Sequence, residues 1–491
     1  MKISKNLAYL LAVGFVGVVG FSGCGSESSS AKNLSDPQAG ATSESVKSET
    51  VQLAMTATAR RTFVVNEVNS FNSFITDSAV KTNKYTEMGA TPFTFYRATA
   101  HLYYKDLANG TIATPSSWAS TANIKTWIQG DMHTQNVGFF DNKNGTVKFD
   151  LNDFDESYMA PFYWDLIRFG ASIYLMQGET GFNLSTSEAD AIVSTFLAEY
   201  QSAIDGYAGN DGEKSYELTA SSTSGIIKDK IDKLKSDYTL TKLLDKWTVV
   251  ASGARKFNFT NPDLKTPDAT KKSGITSAWT SYKTQVSSVS SYSGYFNIKD
   301  MAQRMNSGLG SQGVEKYYVL IEGPSTSNSD DLIMEVKEQR LPSMFLNSSM
   351  SQTSYTTLFP SHAARTKIAT KALLANVDNH LGDISANSKK YSIKKISQYK
   401  YGFDAVDFTS KSDLTLFATY CAKALAADHS RADKDYNSGY ISYGFDKGAS
   451  DAIKAWSNAK STMQSLSKSY ATQVKADYAY FTDARSKGEI K

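Results

Sequence analysis

Cysteine is nearly absent: the 491 residues hold two, Cys24 and Cys421. If Cys24 carries another group, no intramolecular disulfide remains, so the fold must rest on its core. Net charge is scarce too. The formal value is +3, and losing Lys2 and Lys5 with an N-terminal leader lowers it by two, to +1. No electrostatic footprint for nucleic acid exists, so nucleic acid is excluded as a partner. Charged residues make up 21%, against 41% hydrophobic and 12% aromatic, which excludes a disordered chain and predicts a globular one. There is no internal repeat of fixed period, which excludes solenoids and propellers.

What is present begins at the N-terminus. Lys2 and Lys5 precede the apolar run LAYLLAVGFVGVVGF, which ends at Ser22-Gly23-Cys24. A run of about fifteen residues is short for a membrane span and reads as an export signal. A lone cysteine after small residues resembles the lipobox of bacterial lipoproteins, although Phe21 stands where an aliphatic residue is usual. The expectation is a lipoprotein signal peptide over 1–24, lipidation at Cys24, and a mature chain exported and anchored by lipid to the bacterial cell envelope. Residues 25–50 are rich in Ser, Gly and Ala with almost no large apolar side chains, the composition of a flexible tether. One domain is expected over 51–491.

Within it, SEADAIVSTFLAEYQSAIDG keeps Val193, Leu197, Tyr200 and Ile204 on one face and predicts a helix, with Ser187 as cap and Gly206 at the far end. SDLTLFATYCAKALAADH does the same with Leu414, Phe417, Cys421 and Leu425, and the stretch from Ala449 to Ala484 is helical in pattern. KYYVLIEG (316–323) and DLIMEVKEQ (331–339) predict one hairpin. NVGFFDNKNGTVKFDL (136–151) predicts a second, turning at Asn144-Gly145.

Each hairpin carries chemistry. IQGDMHTQNVGFF (128–140) sets Asn136 five positions after Asp131, and FDLNDFDES (149–157) ends the hairpin in acidic residues. This is the layout of a phosphotransferase catalytic loop. One carboxylate orients or deprotonates a hydroxyl, an amide oxygen helps hold Mg²⁺, and a second carboxylate binds the metal that bridges the phosphates. Asp131 takes the first role and Asn136 the second. For the third, the hairpin spacing favours Asp150, while Asp153-Phe154-Asp155 is as suitable by type. A calcium loop fails, because neither Asp150 nor Asp153 starts the required pattern. His133 has no adjacent His or Cys for a zinc site and reads as a side chain that organises the loop.

Downstream, Gly308, Gly310 and Gly313 have the spacing GxGxxG and run into a strand, with Lys337 on the next predicted strand, 24 residues past Gly313. A dinucleotide fold would place a helix after the glycines. A strand there is the arrangement in which the glycine loop covers phosphates and a strand lysine contacts them. The glycine loop and lysine (306–338) follow the catalytic loop (128–157), which reverses the usual order and requires circular permutation. A permuted chain needs its pre-catalytic helix near the C-terminus, and residues 414–433 fit, with His429 near the entry to the loop.

FTFYRAT (93–99), GDMHTQNVGFF, FDLNDFDES, PFYWDLIRFGAS (161–172), SGLGSQGVEKYYVLIEG, LIMEVKE and YKYGFD (399–404) together resemble the bacterial family called domain of unknown function 2252. Its GD-x-H-x-x-N loop is similar to that of aminoglycoside and choline kinases. The resemblance implies an α+β, helix-rich, protein-kinase-like fold of two lobes, with Asp165 as the structural aspartate after the metal-binding segment. It implies ATP and Mg²⁺ as cofactors, with Asn136, Asp150, Asp153 and Asp155 as metal ligands, Asp131 and Asn136 as catalytic residues, and Gly308, Gly310, Gly313 and Lys337 at the nucleotide. The chain departs from the kinase pattern at Gln129, where a histidine is usual, and in 362–380, which offers no glutamate to Lys337. Two functions stay open: a phosphotransferase or nucleotidyl-transfer enzyme acting on a small molecule or protein, and a binding module that keeps the fold without turnover.

Overall fold

The computed structural model describes residues 55–306, 308–348 and 350–491. The chain divides into the units Met1–Gln52 and Leu53–Lys491. The leader, the tether and Cys24 lie outside the described residues. The second unit is mixed α+β, as expected. No helix among the described residues is long and apolar enough to cross a membrane.

A six-stranded antiparallel sheet has the order Gly382–Ala386, Lys389–Lys395, Leu332–Glu338, Lys316–Ile321, Ile298–Arg304, Leu264–Lys265. The predicted hairpin is its centre, pairing Tyr318 with Glu335 and Lys316 with Lys337. Strand alternation gives the sheet two different faces. Tyr317, Val319, Ile321, Met334, Val336, Tyr391 and Ile393 form a core with Ile275, Trp279 and Tyr282 of the helix Ala269–Gln285. The intervening positions put Lys316, Glu335 and Lys337 on the opposite face, where Glu335 pairs in register with Lys394 of the neighbouring strand.

The rest is mainly helical. Lys411–Arg431 packs along Thr186–Tyr207, and Tyr163–Leu175 along Ala459–Ser486. The cap of Thr186–Tyr207 is Ser185, not Ser187: Ser185 and Glu188 form a reciprocal capping box, which satisfies two orphan donors where Ser187 could satisfy one. Gly206 lies inside the helix. The C-terminal run is two helices, Phe445–Ala455 and Ala459–Ser486, separated at Asn458, whose φ of 56° breaks the helical path. Within 362–380, the segment that lacks a glutamate for Lys337, the helix runs over His362–Leu373.

The second hairpin forms as expected. Val137–Asp141 pairs with Val147–Leu151, and Gly145 has a φ of 76° in the turn. It sits inside a closed loop, because Lys125–Ile128 pairs antiparallel with Tyr158–Pro161. Residues 129–157 are therefore cinched at their base, where Ser157 Oγ donates to Ile128 O at 2.5 Å.

Candidate functional site

The base of this loop is held from below. Asp165, in the first turn of the helix Tyr163–Leu175, accepts the backbone N–H groups of Gln129 at 2.7 Å and Gly130 at 3.1 Å. His429 Nε2 lies 3.3 Å from the same carboxylate, and Tyr200 OH meets His429 Nδ1 at 2.8 Å. The end of the helix Lys411–Arg431 thus reaches the entry of the loop. Gly130 has a φ of 87°, and a Cβ there would lie 2.2 Å from Glu156 O. Only glycine fits.

The side chain of Gln129 is buried and joins the two halves of the loop. Its Oε1 accepts Asp131 N–H at 2.7 Å while its Nε2 donates to Asp153 O. A residue that breaks the kinase pattern therefore acts as a brace between the segments carrying Asp131 and Asp153.

Asp131 is pinned. Arg168 Nε donates to its Oδ1 at 2.9 Å, and a second Arg168 N–H donates to the same oxygen. Arg168 is itself fixed with its guanidinium 4.2 Å from the centre of the Tyr96 ring. Burial pushes the Asp131 carboxyl up, but Arg168 and His133 together outweigh it and hold the group below its ordinary range. Asn136 Nδ2 donates to Asp131 O at 2.9 Å and lies 3.4 Å from Oδ2. His133 Nδ1 accepts Gln135 N–H at 3.1 Å, which leaves its proton for Nε2, 3.6 Å from Asp131 Oδ2. Burial lowers the imidazole below its usual value. His133 organises the loop, as the sequence suggests.

Across the cleft, Lys337 Nζ lies 3.2 Å from Asp153 Oδ2 and is ion-paired with Asp155. Burial disfavours the ammonium, yet the two carboxylates hold its pKa above the ordinary lysine range. The pair is split. Burial pushes Asp153 up, but Lys337 together with Lys394 and Lys316 outweighs it and lowers the group, whereas Asp155 is raised by burial and by the charge on Asp153. Gln339 Nε2 donates to Asp155 Oδ1 at 2.8 Å, and its Oε1 accepts from Thr366 of the helix His362–Leu373 at 2.9 Å.

Two cavities meet at these carboxylates. One, of about 190 Å³, lies between Lys316, Lys337 and Lys394 of the sheet and the apolar side chains of Phe139, Leu374 and Leu381. The other, of about 170 Å³, is bounded by Asp131, Asn136, Glu156 and Gly310. Asp153 and Asp155 line both.

The two alternatives for the third carboxylate occupy different places. Asp150 lines neither cavity. Its Oδ2 takes Lys148 Nζ at 2.9 Å, and Lys148 also reaches Glu217 at 3.3 Å. Of the glycines, Gly310 lines the second cavity, in the connection between Ile298–Arg304 and Lys316–Ile321. Gly308 lines neither, and Gly313, at a φ of 89°, packs on Ile75.

Sequence reasoning missed Arg168, although Asp165 and Arg168 at i and i+3 share one helix face. It also missed Glu156, whose Oε2 accepts Ser343 N–H at 2.5 Å. Burial lifts this carboxyl to about 7, against the Ser343 hydrogen bond and with help from Asp131.

As a candidate metal site, the donor set fits a hard cation. Asp153 and Asp155 supply oxygen ligands with only one ammonium between them, and Asn136 Oδ1 has no donor among the described residues.

Fold and site define an α+β protein with a carboxylate-lined cleft spanned by a strand lysine. Residues 77–484 match the family model described as an uncharacterized protein conserved in bacteria, DUF2252, and the chain belongs to that family. No curated protein and no solved structure matches it.

Proposed function

We propose that the chain is an ATP- and Mg²⁺-dependent phosphotransferase with a circularly permuted, protein-kinase-like site. The carrying observation is Lys337 of the sheet, on the wall of the first cavity, paired with Asp153 and Asp155, which also line the second cavity with Asp131 and Asn136. In this reading a glycine-bearing connection, a lysine on the second strand after it, and an Asp–Asn loop braced to a metal-binding acidic segment take the roles such chemistry requires. Support for permutation comes from the helix Lys411–Arg431, whose His429 meets Asp165 beneath the loop. Asp153 and Asp155, with Asn136, would hold Mg²⁺ where the two cavities meet, and Lys337 would reach the phosphates from the first cavity, with Gly310 on the wall of the second.

The acceptor hydroxyl oxygen forms a bond to the γ-phosphorus, the bond from that phosphorus to the β–γ bridging oxygen breaks, and ADP leaves. Asp131, held ionised by Arg168, orients the hydroxyl and receives its proton. Lipidation at Cys24 and anchoring to the cell envelope belong to the same proposal, and Cys24→Ala should abolish fatty-acid labelling.

A second reading, a ligand-binding module without turnover, is favoured by one feature. No glutamate of the helix His362–Leu373 pairs with Lys337, and Arg365 instead donates to the carbonyls of Asp155 and Ser157. Turnover separates the two: ADP release from Mg·ATP, lost in Asp131→Asn with nucleotide binding retained, supports the enzyme. Nucleotide binding without any turnover supports the module.

A further inference from the structure

The cavity on the Asp131 side contains charge that the protein leaves unused. Its carboxylates are engaged: Asp131 by Arg168, Asp153 and Asp155 by Lys337, Glu156 by Ser343, and Glu338 by Lys389 at 2.8 Å. Its two arginines feel neighbouring carboxylates, Arg97 those of Asp131 and Asp404 and Arg340 those of Glu338 and Glu156, but neither makes a direct hydrogen bond or ion pair with a described residue. Arg97 belongs to the short helix Pro92–Ala98, and its guanidinium donates to no described residue; its Nε is fully enclosed without a partner. Its one ring contact is Phe93, 5.9 Å away. Arg340 follows the sheet strand that bears Lys337 and also donates from its guanidinium to no described residue. Its guanidinium is held 3.5 Å from the centre of the Phe74 ring, which fixes it at the cavity wall.

A buried donor without an acceptor carries the full cost of desolvation, and a charged one more than a neutral one. That cost falls on Arg97, whose Nε is enclosed, and it is lowered when an anion lies between Arg97 and Arg340, which comes from a distant part of the chain and is stacked on Phe74. Carboxylate and phosphate match the planar fork of arginine.

We propose that Arg97 and Arg340 form an anion subsite for the phosphoryl acceptor. The acceptor then carries a carboxylate or phosphate group of its own in addition to the hydroxyl that attacks the γ-phosphorus. This rests on the phosphotransferase reading and narrows it to anionic acceptors, excluding neutral sugars and amino alcohols. The bonds made and broken are those already given. The arginines take no proton and hold the acceptor while Asp131 faces its hydroxyl.

The test uses the full chain, with inorganic phosphate and acetate as separate probes of the subsite and Mg²⁺ with AMP-PNP as the probe of the nucleotide. By calorimetry, Arg97→Gln and Arg340→Gln should each weaken the anion by about tenfold or more, the scale of a lost charge-assisted hydrogen bond. Each should leave AMP-PNP affinity within about twofold, a result that also reports a folded protein. Arg340 has an exposed side chain, so its variant folds even if Arg97→Gln does not. Lys337→Met should do the reverse. Preference for phosphate over acetate identifies a phosphorylated acceptor, and the opposite preference a carboxylic acid.

The inference is overturned if AMP-PNP binds while neither anion does, or if the arginine variants weaken AMP-PNP as much as the anion, which would assign them to the donor phosphates. If the anions bind through both arginines and AMP-PNP does not bind at all, the phosphotransferase reading falls, and with it the acceptor role, while the anion site itself stands.

Discussion

Lys337 Nζ lies 3.2 Å from Asp153 Oδ2 across 184 positions of sequence. This contact joins the charged face of the sheet to the acidic end of the loop, so Lys337 contributes to folding as well as to the site. Lys337 is buried, whereas Asp153 and Asp155 keep 38% and 32% of their side-chain surface. Lys337→Met should therefore cost about 2 kcal/mol, below the scale of a fully buried broken pair because water still reaches the carboxylates. Millimolar Mg²⁺ should recover part of that loss, since the two carboxylates then lack the ammonium that pairs with both. Urea unfolding with and without Mg²⁺ measures both effects.

Asp150 and Asp153 should separate cleanly. Asp150→Asn removes the nearer of the two carboxylate partners of buried Lys148 and should destabilise by about 2 kcal/mol, below the scale of a wholly unpaired buried charge, with Mg²⁺-dependent nucleotide binding retained. Asp153→Asn should abolish that binding. A melting series with Mg·ATP distinguishes the two variants.

Glu156 makes stability depend on pH. Its folded pKa, about 7, lies above the ordinary 4.5. Between these values the folded state binds more protons than the unfolded state, so the contribution is full below about 4.5 and is lost as pH rises toward 7. Glu156→Gln, which cannot ionise, should flatten this part of the stability profile and be the more stable protein at pH 8. Denaturant midpoints from pH 4 to 8 check the sign.

Asp165→Ala should strip the acceptor from the Gln129 and Gly130 amides, leaving two buried donors unpaired. A cost of about 3 kcal/mol is expected, with faster amide exchange at residues 129–131. Hydrogen exchange followed by mass spectrometry reads the local effect.

Local patterns made much of the fold legible. Alternation marked both hairpins, and Asn144-Gly145 marked one turn. The 3.6-residue period marked Thr186–Tyr207 and Lys411–Arg431. The break at Asn458 was hidden because neither glycine nor proline announces it. The choice between Asp150 and Asp153 was open to reading: Lys148 and Asp150, two apart on one strand, share a face and therefore pair. The contacts made by Arg168, Gln129 and Lys337 could not be read from spacing, since each depends on how distant segments dock. Arg97 gave one local signal, a charge amid Phe93, Phe95 and Tyr96 in a helix whose other residues are mostly buried.

Calorimetric titration of residues 25–491 with ATP and Mg²⁺ tests the central claim most directly. The account predicts saturable binding with a dissociation constant below about 1 mM, within the usual range for enzyme substrates, dependent on the metal and lost in Asp153→Asn. No binding at millimolar nucleotide with either Mg²⁺ or Mn²⁺, together with unchanged ligand-linked melting in the Asp153, Lys337 and Asp131 variants, would contradict it.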